Sequence, residues 1–208
     1  MLHKEILTNG QIALLPMVKS FSDDFYLVGG TAIALHLGHR RSIDFDLFTQ
    51  AGFKAMTIKR RIERYAKAEK CALRFLRSEE GELTFLMGGV KFTFFQYPFE
   101  IPANERFERV IRMPDLLTLA AMKAYALGQR AKWKDYVDLY FIIKKYHGIQ
   151  AIAGKAKEIF QGEFNERIIR EQLGYFDDVS YAEEVEYMPG HEIDDETVKK
   201  ELEQYSLS

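Results

Sequence analysis

The 208-residue sequence contains one cysteine, Cys71, and no excess of either charge. A single thiol excludes an intramolecular disulfide and a zinc site built from cysteines. The 29 lysines and arginines nearly balance the 31 aspartates and glutamates. The chain therefore lacks the global positive field that is typical of many nucleic-acid binders, although a local basic groove is compatible with this balance.

Long apolar runs are also absent from the sequence. The first sixteen residues place Lys4, Glu5 and Asn9 among short apolar pairs, unlike a signal peptide. No apolar stretch is long enough to span a bilayer. We therefore expect a cytoplasmic protein with no membrane partner. A hydrophobic content of 47% is sufficient to bury one core, or one core and a smaller helical part.

The first half of the chain alternates strand and helix patterns. Apolar, β-prone runs that end at glycine predict strands, and apolar residues at helical spacing predict helices. The predicted strands are 25–28, 43–48, 73–76, 83–87 and 90–97. The predicted helices are 1–20, broken near Gly10 and Pro16, then 32–37 behind a Thr31 cap, and 53–70. The last three strands form a meander that extends the sheet.

The second half of the chain has helical spacing. Pro114 opens a predicted helix that ends before Gly128, and a second predicted helix covers 133–146. Residues 177–197 are acidic and predict a loop before a short polar helix toward Ser208. The pattern predicts an α/β (α+β) fold, a short mixed sheet flanked by helices and followed by a helical region.

Two acidic side chains stand in the second predicted strand. Asp44 and Asp46 share one face of the sheet because strand side chains alternate with a period of two. Two carboxylates in one small volume repel each other unless a cation lies between them, and hard oxygen ligands suit Mg²⁺ or Mn²⁺. Solvated aspartates on an exposed sheet face give the same pattern, so this motif alone does not distinguish a metal site from an exposed sheet face.

A glycine turn precedes the acidic strand. Gly29, Gly30 and Thr31 lie between a strand and a helix, where free backbone N–H groups and the helix dipole favour a phosphate. The glycines permit close approach of the backbone. A plain structural turn has the same sequence, and neither a Walker loop nor a GxGxxG fingerprint is present.

A second set of charged residues lies in the helical half. Asp135 and Asp138 are three residues apart and lie on neighbouring positions of one helix face. Lys123 on the preceding helix has the charge needed to neutralise a triphosphate. A salt-bridged helix pair is the alternative interpretation.

Two blocks in the order VGGTAIALHLGHRRSIDFDLF and DLLTLAAMKAYALGQRAKWKDYVDLYFII resemble the signatures of the AbiEii/AbiGii type of abortive-infection toxin. This type is a branch of the DNA polymerase β-like nucleotidyltransferase superfamily. The matching residues are Arg40, Ser42, Asp44, Asp46 and Leu47 in the first block and Lys123, Arg130, Lys132, Lys134, Asp135 and Asp138 in the second. The resemblance covers roughly residues 25–147.

The resemblance implies a polymerase β-like core over residues 1–100 and a helical region over residues 101–208 that completes the cleft. It implies a metal-dependent transfer of a nucleoside monophosphate from an NTP to RNA, at the 3′ end of tRNA, by the toxin of a toxin–antitoxin pair with a cognate antitoxin. Asp44 and Asp46 would hold Mg²⁺ (or Mn²⁺), and Asp135 would orient or deprotonate the acceptor hydroxyl. The nucleotide-binding residues would be Gly29, Gly30, Thr31, Arg40, Ser42 and Lys123.

One position departs from the superfamily pattern. Its enzymes commonly place a third carboxylate on a later strand, where the run VKFTFFQYPF has Thr93. Glu79, Glu80 and Glu82 cluster at a turn, where solvated charges are ordinary, and they are not assigned to the metal. A catalytically silent nucleotide- or antitoxin-binding module, a protein or small-molecule adenylyltransferase and a metal-dependent nuclease therefore stay open as alternatives.

Three further groups of residues have ordinary structural interpretations. His36 and His39 lack the glutamate of an HExxH zinc motif, which favours packing or exposure. The aromatic residues of 85–97 lie on both strand faces, so most of them should be core. The basic run Lys59, Arg60, Arg61, Arg64 and Lys67 is either a solvated helix face or a contact to an RNA backbone.

Overall fold

The computed structural model describes residues 2–208, and the chain forms two compact units. The sheet unit contains residues 7–32 and 42–114, and the helical unit contains the residues up to Ile6, residues 33–41 and residues 115–208. The predicted functional division at residue 100 stays a prediction. None of the helices described for residues 2–208 combines the length and the apolar composition of a membrane span.

The sheet unit is built on a five-stranded mixed sheet with the order β1-β2-β5-β4-β3. The strands are β1 Tyr26–Val28, β2 Phe45–Thr49, β3 Leu73–Glu79, β4 Glu82–Met87 and β5 Val90–Gln96. Strand β2 runs parallel to β5, and the other neighbours are antiparallel. The predicted mixed sheet and its meander are confirmed.

Alternation along the strands directs one set of side chains into the core of the sheet unit. Phe45 of β2 and Phe92 and Phe94 of β5 are fully buried, and Phe85 of β4 stacks on Phe92 with 5.1 Å between ring centroids. Burial of each such side chain contributes about 1.5–3 kcal/mol. The prediction that most of these aromatic residues are core is confirmed.

The first half of the chain also contains the helices α1 Asn9–Ser20, α2 Gly29–Leu37 and α3 Ala55–Ala68. Helix α3 is amphipathic, as predicted, and buries Ile58, Ile62 and Ala66 along one face. A two-stranded hairpin of β6 Glu105–Phe107 and β7 Ile111–Met113 was not predicted. Its strands have three residues each, too few for an alternating pattern to be visible in the sequence.

Helix α1 differs from its prediction because it continues through Gly10 and Pro16. Thr8 caps it, since the Thr8 hydroxyl accepts a hydrogen bond from the Gln11 amide at 3.2 Å and the Gln11 side chain accepts one from the Thr8 amide at 3.0 Å. Glycine in this first turn is well tolerated beside such a cap. A proline inside a helix costs about 3 kcal/mol, and the buried apolar face around Val18 offsets that cost.

The boundaries of α2 and β2 also differ from the predicted ones. Helix α2 begins at Gly29, so Thr31 lies inside its first turn and is not its cap. Strand β2 begins at Phe45, so Asp44 lies directly before the strand rather than within it. Both shifts move the predicted functional residues to the ends of elements.

The helical unit is built on five helices from the second half of the chain. They are α4 Leu116–Leu127, α5 Trp133–Lys145, α6 Ile149–Phe160, α7 Glu166–Leu173 and α8 Asp195–Ser206. The predictions for α4, α5 and the last polar helix are confirmed. Asp115 caps α4 by accepting a hydrogen bond from the Thr118 amide at 2.7 Å. Helix α4 packs against α5, α6 and α7.

Candidate active site

Asp44 and Asp46 form an acid pair in the sheet unit. Asp46 lies in β2, opposite Val28 at the end of β1 and opposite Thr93 of β5. The Asp44 carboxylate lies 2.5 Å from Lys91 Nζ. Lys91 and Thr93 are two residues apart on β5, so their side chains lie on the same face of the sheet. The two carboxylates therefore lie on one side of the sheet.

Gly29 brings the backbone against the Asp46 carboxylate. Its φ is +73°, in the region that favours glycine. A Cβ at this position would overlap the Asp46 carboxylate and lie 3.1 Å from Asp46 Cγ. Helix α2 begins here, and Gly29 and Gly30 are both partly exposed. The N–H groups of the first helical turn, which have no acceptor within the helix, are therefore next to an acid, and the helix dipole favours that negative charge.

Thr31 and Ser42 hold the loop that carries Asp44. Thr31 is buried, and its hydroxyl is hydrogen-bonded to the Asp44 carbonyl and lies 3.0 Å from Ser42 Oγ. The Gln11 amide group donates to the Ser42 carbonyl at 2.8 Å. These bonds anchor the loop from two helices, so the position of Asp44 is fixed by buried polar contacts.

Lys91 is a further residue of the candidate site, and the sequence did not predict it. Its ammonium group pairs with Asp44, and both side chains are about one third exposed. The alternation of β5 places Lys91 on the same face as Thr93, and this pattern could have indicated that Lys91 lies near the acid pair. Charge alone did not single it out, because one lysine in a strand is most often solvated.

The acid pair is suited to a divalent cation that takes its other ligands from water and substrate. The row of residues beside Asp46 continues across the sheet with Thr93 and Thr84, which offer hydroxyl groups and no third carboxylate. Among residues 2–208, no three histidine, cysteine, aspartate or glutamate residues are grouped as a metal site. Mg²⁺ is often held by one or two carboxylates together with phosphate oxygens, so two carboxylates fit it.

The helical unit contains a buried ionic cluster centred on Asp138. Its carboxylate accepts hydrogen bonds from Arg40 Nε at 2.7 Å and Arg40 Nη2 at 2.8 Å, and from His39 Nε2 at 2.8 Å. Lys123 Nζ lies 3.1 Å away. Burial alone would raise the pKa of Asp138, but the charges of Arg40 and Lys123 hold it well below its usual range. Asp138 is therefore ionised and fully paired.

Asp135 is the less satisfied member of this cluster. One of its oxygens accepts a hydrogen bond from Lys123 Nζ at 2.6 Å. The other, Oδ2, is buried without a hydrogen bond, and Arg130 Nε lies 3.7 Å from it. A buried carboxylate oxygen that lacks a donor can accept one from a ligand. Asp135 thus has an acceptor available, whereas Asp138 does not.

A C-terminal segment covers Arg40 within the helical unit. Tyr187 pairs with Arg40 as a short antiparallel bridge, the Arg41 amide donates to the Glu186 carbonyl at 2.8 Å, and the Met188 amide donates to the His39 carbonyl at 3.0 Å. The Arg40 side chain is consequently 3% exposed. No local pattern in residues 177–197 indicates that this acidic segment covers Arg40.

His39 makes stability depend on pH in a defined direction. Burial lowers its pKa, against the opposing effect of Asp138, and its Nδ1 is buried without a hydrogen bond. The unfolded chain therefore binds a proton below pH 6.5 more readily than the folded protein does, and stability falls as the pH drops from 6.5 toward the lowered pKa.

We expect a His39→Gln variant to flatten this dependence, by up to about 1.4 kcal/mol per pH unit. Glutamine keeps a donor for Asp138 but does not titrate. Urea unfolding of both proteins at several pH values below 7 measures the difference. Equal slopes for the two proteins would contradict the assignment of His39 as a buried neutral imidazole.

The predicted site residues thus fall into two groups, one in each unit. In the sheet unit the structure brings Gly29, Asp44 and Asp46 together, with Thr31 and Ser42 holding the loop. In the helical unit Arg40, Lys123 and Asp135 belong to the cluster around Asp138. Local sequence patterns did not indicate Lys91 in the first group or His39 in the second.

Comparison with known proteins places these residues in a family. The model of the family described as nucleotidyl transferase AbiEii toxin, type IV TA system, matches residues 15–106 and 90–204. An uncharacterized protein of Aquifex aeolicus is 33% identical over 190 residues, which cover 88% of each chain.

Two solved structures have the same fold. One is a Helicobacter pylori protein described as a nucleotidyltransferase, with a TM-score of 0.61, 17% identity and coverage of 99% of this chain and 95% of that one. The other is MenT4, a nucleotidyltransferase toxin of Mycobacterium tuberculosis, with a TM-score of 0.59, 10% identity and coverage of 95% and 81%. The predicted nucleotidyltransferase fold is confirmed. Since the family match extends over most of the sequence, the chain belongs to the AbiEii family of nucleotidyl transferase toxins.

Proposed function

We propose that the protein is a metal-dependent enzyme that transfers a nucleoside monophosphate from an NTP to RNA, at the 3′ end of tRNA, and that a cognate antitoxin restrains it. The observation that supports this best is the acid pair on one side of the sheet, with the Gly29 backbone packed against Asp46. A glycine turn, a helix N-terminus and two carboxylates together are suited to a triphosphate and its cation.

In the sheet unit, Asp44 and Asp46 would hold Mg²⁺ or Mn²⁺. When bound, the cation supplies positive charge to the triphosphate and to the leaving pyrophosphate. The N–H groups of Gly29 and Gly30 donate to phosphate oxygens. Thr31 and Ser42 belong to the nucleotide site as the residues that hold the Asp44 loop in position.

In the helical unit, Asp135 would orient or deprotonate the acceptor hydroxyl through Oδ2, which accepts no hydrogen bond within the described chain. The hydroxyl oxygen then forms a bond to the α-phosphorus, and the bond from that phosphorus to the bridging oxygen of pyrophosphate breaks. Lys123 is the cation proposed to balance phosphate charge. Arg40 stays a proposed nucleotide-binding residue, although its Nε and Nη2 are engaged by Asp138 in this structure.

Pyrophosphate release tests the proposed reaction. The protein is incubated with Mg²⁺, total tRNA and each NTP in turn, and release is measured with and without a chelator. Release that requires both the cation and RNA supports the proposal. Pyrophosphate release in the absence of RNA, with the nucleoside monophosphate found on protein or on a small alcohol, would instead indicate an adenylylating enzyme.

A catalytically silent module is the second candidate, because Thr93 stands where a third carboxylate is common. Such a module would bind NTP and release no pyrophosphate with any of the four nucleotides. The same assay, accompanied by a measurement of NTP binding, separates the two candidates.

Lys91 should oppose cation binding at the acid pair. Its ammonium group lies 2.5 Å from Asp44 Oδ2 and competes with a divalent cation for that oxygen. We expect Lys91→Met to tighten Mn²⁺ binding about fivefold, as removal of about 1 kcal/mol of charge repulsion in a solvated setting predicts. Electron paramagnetic resonance of free Mn²⁺ measures the affinity directly. The exposed control Lys200→Met makes the same change in net charge, and an equal effect of both variants would contradict the local explanation.

A further inference from the structure

The segment 54–70, which contains α3, concentrates positive charge in the sheet unit. It has seven lysines and arginines and two glutamates, a net charge of +5, whereas the whole chain has a net charge of −2. The remaining residues are therefore acidic on balance. A local field of this kind attracts polyanions even when the protein as a whole is slightly negative.

The side chains of Arg60, Arg64 and Lys67 form a row along α3, called here the basic row. Helix α3 buries Ile58 and Ile62 on its opposite face, and the three basic side chains are exposed. Their spacing of four and three residues keeps them on one helix face, with rises of about 6 and 4.5 Å along the axis. Arg64 also lines a recess of about 360 Å³ together with Phe21 and Tyr65.

The chain does not neutralise this row. Within residues 2–208, Arg60, Arg64 and Lys67 form no ion pair with a carboxylate, whereas the neighbouring Arg61 lies 3.8 Å from Asp24 and over the Phe21 ring at 4.1 Å. The arginines of α7 show the opposite arrangement, since both pair with glutamates of their own helix. The counter-charge of the basic row must come from solution or from a ligand.

We propose that the basic row binds the phosphodiester backbone of the acceptor RNA, an inference that rests on the proposed function. RNA carries one negative charge per nucleotide, so a line of cations along a helix matches it without reading the bases. Binding releases condensed counterions and is therefore salt-dependent and largely independent of sequence. The row thus supplies affinity for RNA, while the residues of the acid pair supply the chemistry.

The test uses the full chain and fluorescently labelled total tRNA, with anisotropy measured over a range of salt concentrations. For the variant Arg60→Gln, Arg64→Gln, Lys67→Gln we expect the Kd to rise at least about tenfold, and the slope of log affinity against log salt to fall by about two to three. The matched control is Arg106→Gln, Arg109→Gln, Lys200→Gln, which removes the same charge from exposed positions. It should bind RNA like the wild type, and urea unfolding at the same urea concentration as the wild type confirms that each variant is folded.

The outcomes separate this inference from the proposed function. RNA affinity that is lost only in the basic-row variant supports the inference, whether or not label is transferred. A wild-type protein that labels RNA and a basic-row variant with unchanged Kd and salt slope would overturn the inference and leave the proposed function intact. If the basic row binds an acidic partner protein and not RNA, the basic-row variant would also keep the RNA affinity of the wild type.

Discussion

Replacing Asp46 by asparagine is expected to lower nucleotidyl transfer by at least about a thousandfold, which corresponds to about 4 kcal/mol of transition-state stabilisation. Asparagine keeps the shape of the side chain but removes the negative charge that would hold the cation. The Gly29 backbone packs against Asp46. Because asparagine has nearly the same shape, we expect Gly29 and the neighbours of Asp46, Val28 on β1 and Thr93 on β5, to keep their positions. Initial rates of label transfer measure the effect.

Two controls make this result specific to the proposed site. Asp177→Asn makes the same chemical change at an exposed position and should leave the rate unchanged. Mn²⁺ titration of Asp46→Asn should show weakened binding in a protein that unfolds at the same urea concentration as the wild type. A folded variant that retains transfer within about tenfold of the wild type would remove Asp46 from the proposed metal site.

Replacing Asp138 by alanine is expected to lower the free energy of unfolding by about 3–5 kcal/mol, because one partner of a buried charged cluster is removed. The variant leaves Arg40 Nε and Nη2 buried without their acceptor and removes one of the two carboxylates beside Lys123, which keeps its hydrogen bond to Asp135. Urea unfolding measures the loss. The exposed substitution Asp177→Ala should change stability by no more than about 0.5 kcal/mol.

The contribution of Asp138 to the free energy of unfolding depends on pH because folding lowers the pKa of this carboxyl group. A carboxyl group whose pKa is depressed by folding contributes stability that is fully present above the pKa of the unfolded chain, 3.8 here, and is lost as the pH falls through the lower folded value. The stability difference between wild type and Asp138→Asn should therefore be constant near neutral pH and shrink in acid. A difference that shrinks already between pH 7 and pH 5 would contradict the ionic assignment.

Local patterns were sufficient to predict most of the elements, whereas the roles of the site residues stay predictions. Strand alternation indicated that Asp44 and Asp46 share one side of the sheet, and the predicted start of α2 at residue 32 lies three residues after the observed start at Gly29. The boundaries were less accurate because capping and packing decide them. Helix α1 shows this, since its capping box and buried face keep it continuous through Pro16.

The contacts that define the two groups were beyond sequence patterns because they join distant parts of the chain. His39 and Arg40 meet Asp138 across 99 and 98 positions, and the backbone of residues 186–188 covers them. Lys91 reaches Asp44 because β5 lies parallel to β2. Local sequence patterns do not show which strands are neighbours in the sheet. They also do not fix the register, and a one-residue change of register would direct Lys91 to the other face of the sheet.

The most direct test of the account is the fate of RNA. The protein is incubated with Mg²⁺, total tRNA and each NTP labelled at the α-phosphate, alongside an Asp46→Ala control, and the RNA is separated by length. We predict labelled tRNA that is longer than the input, with one NTP or a few, and no label with the variant. RNA that becomes shorter, or RNA that remains unlabelled with every NTP although NTP binds, would contradict the proposal that this protein is an RNA nucleotidyltransferase.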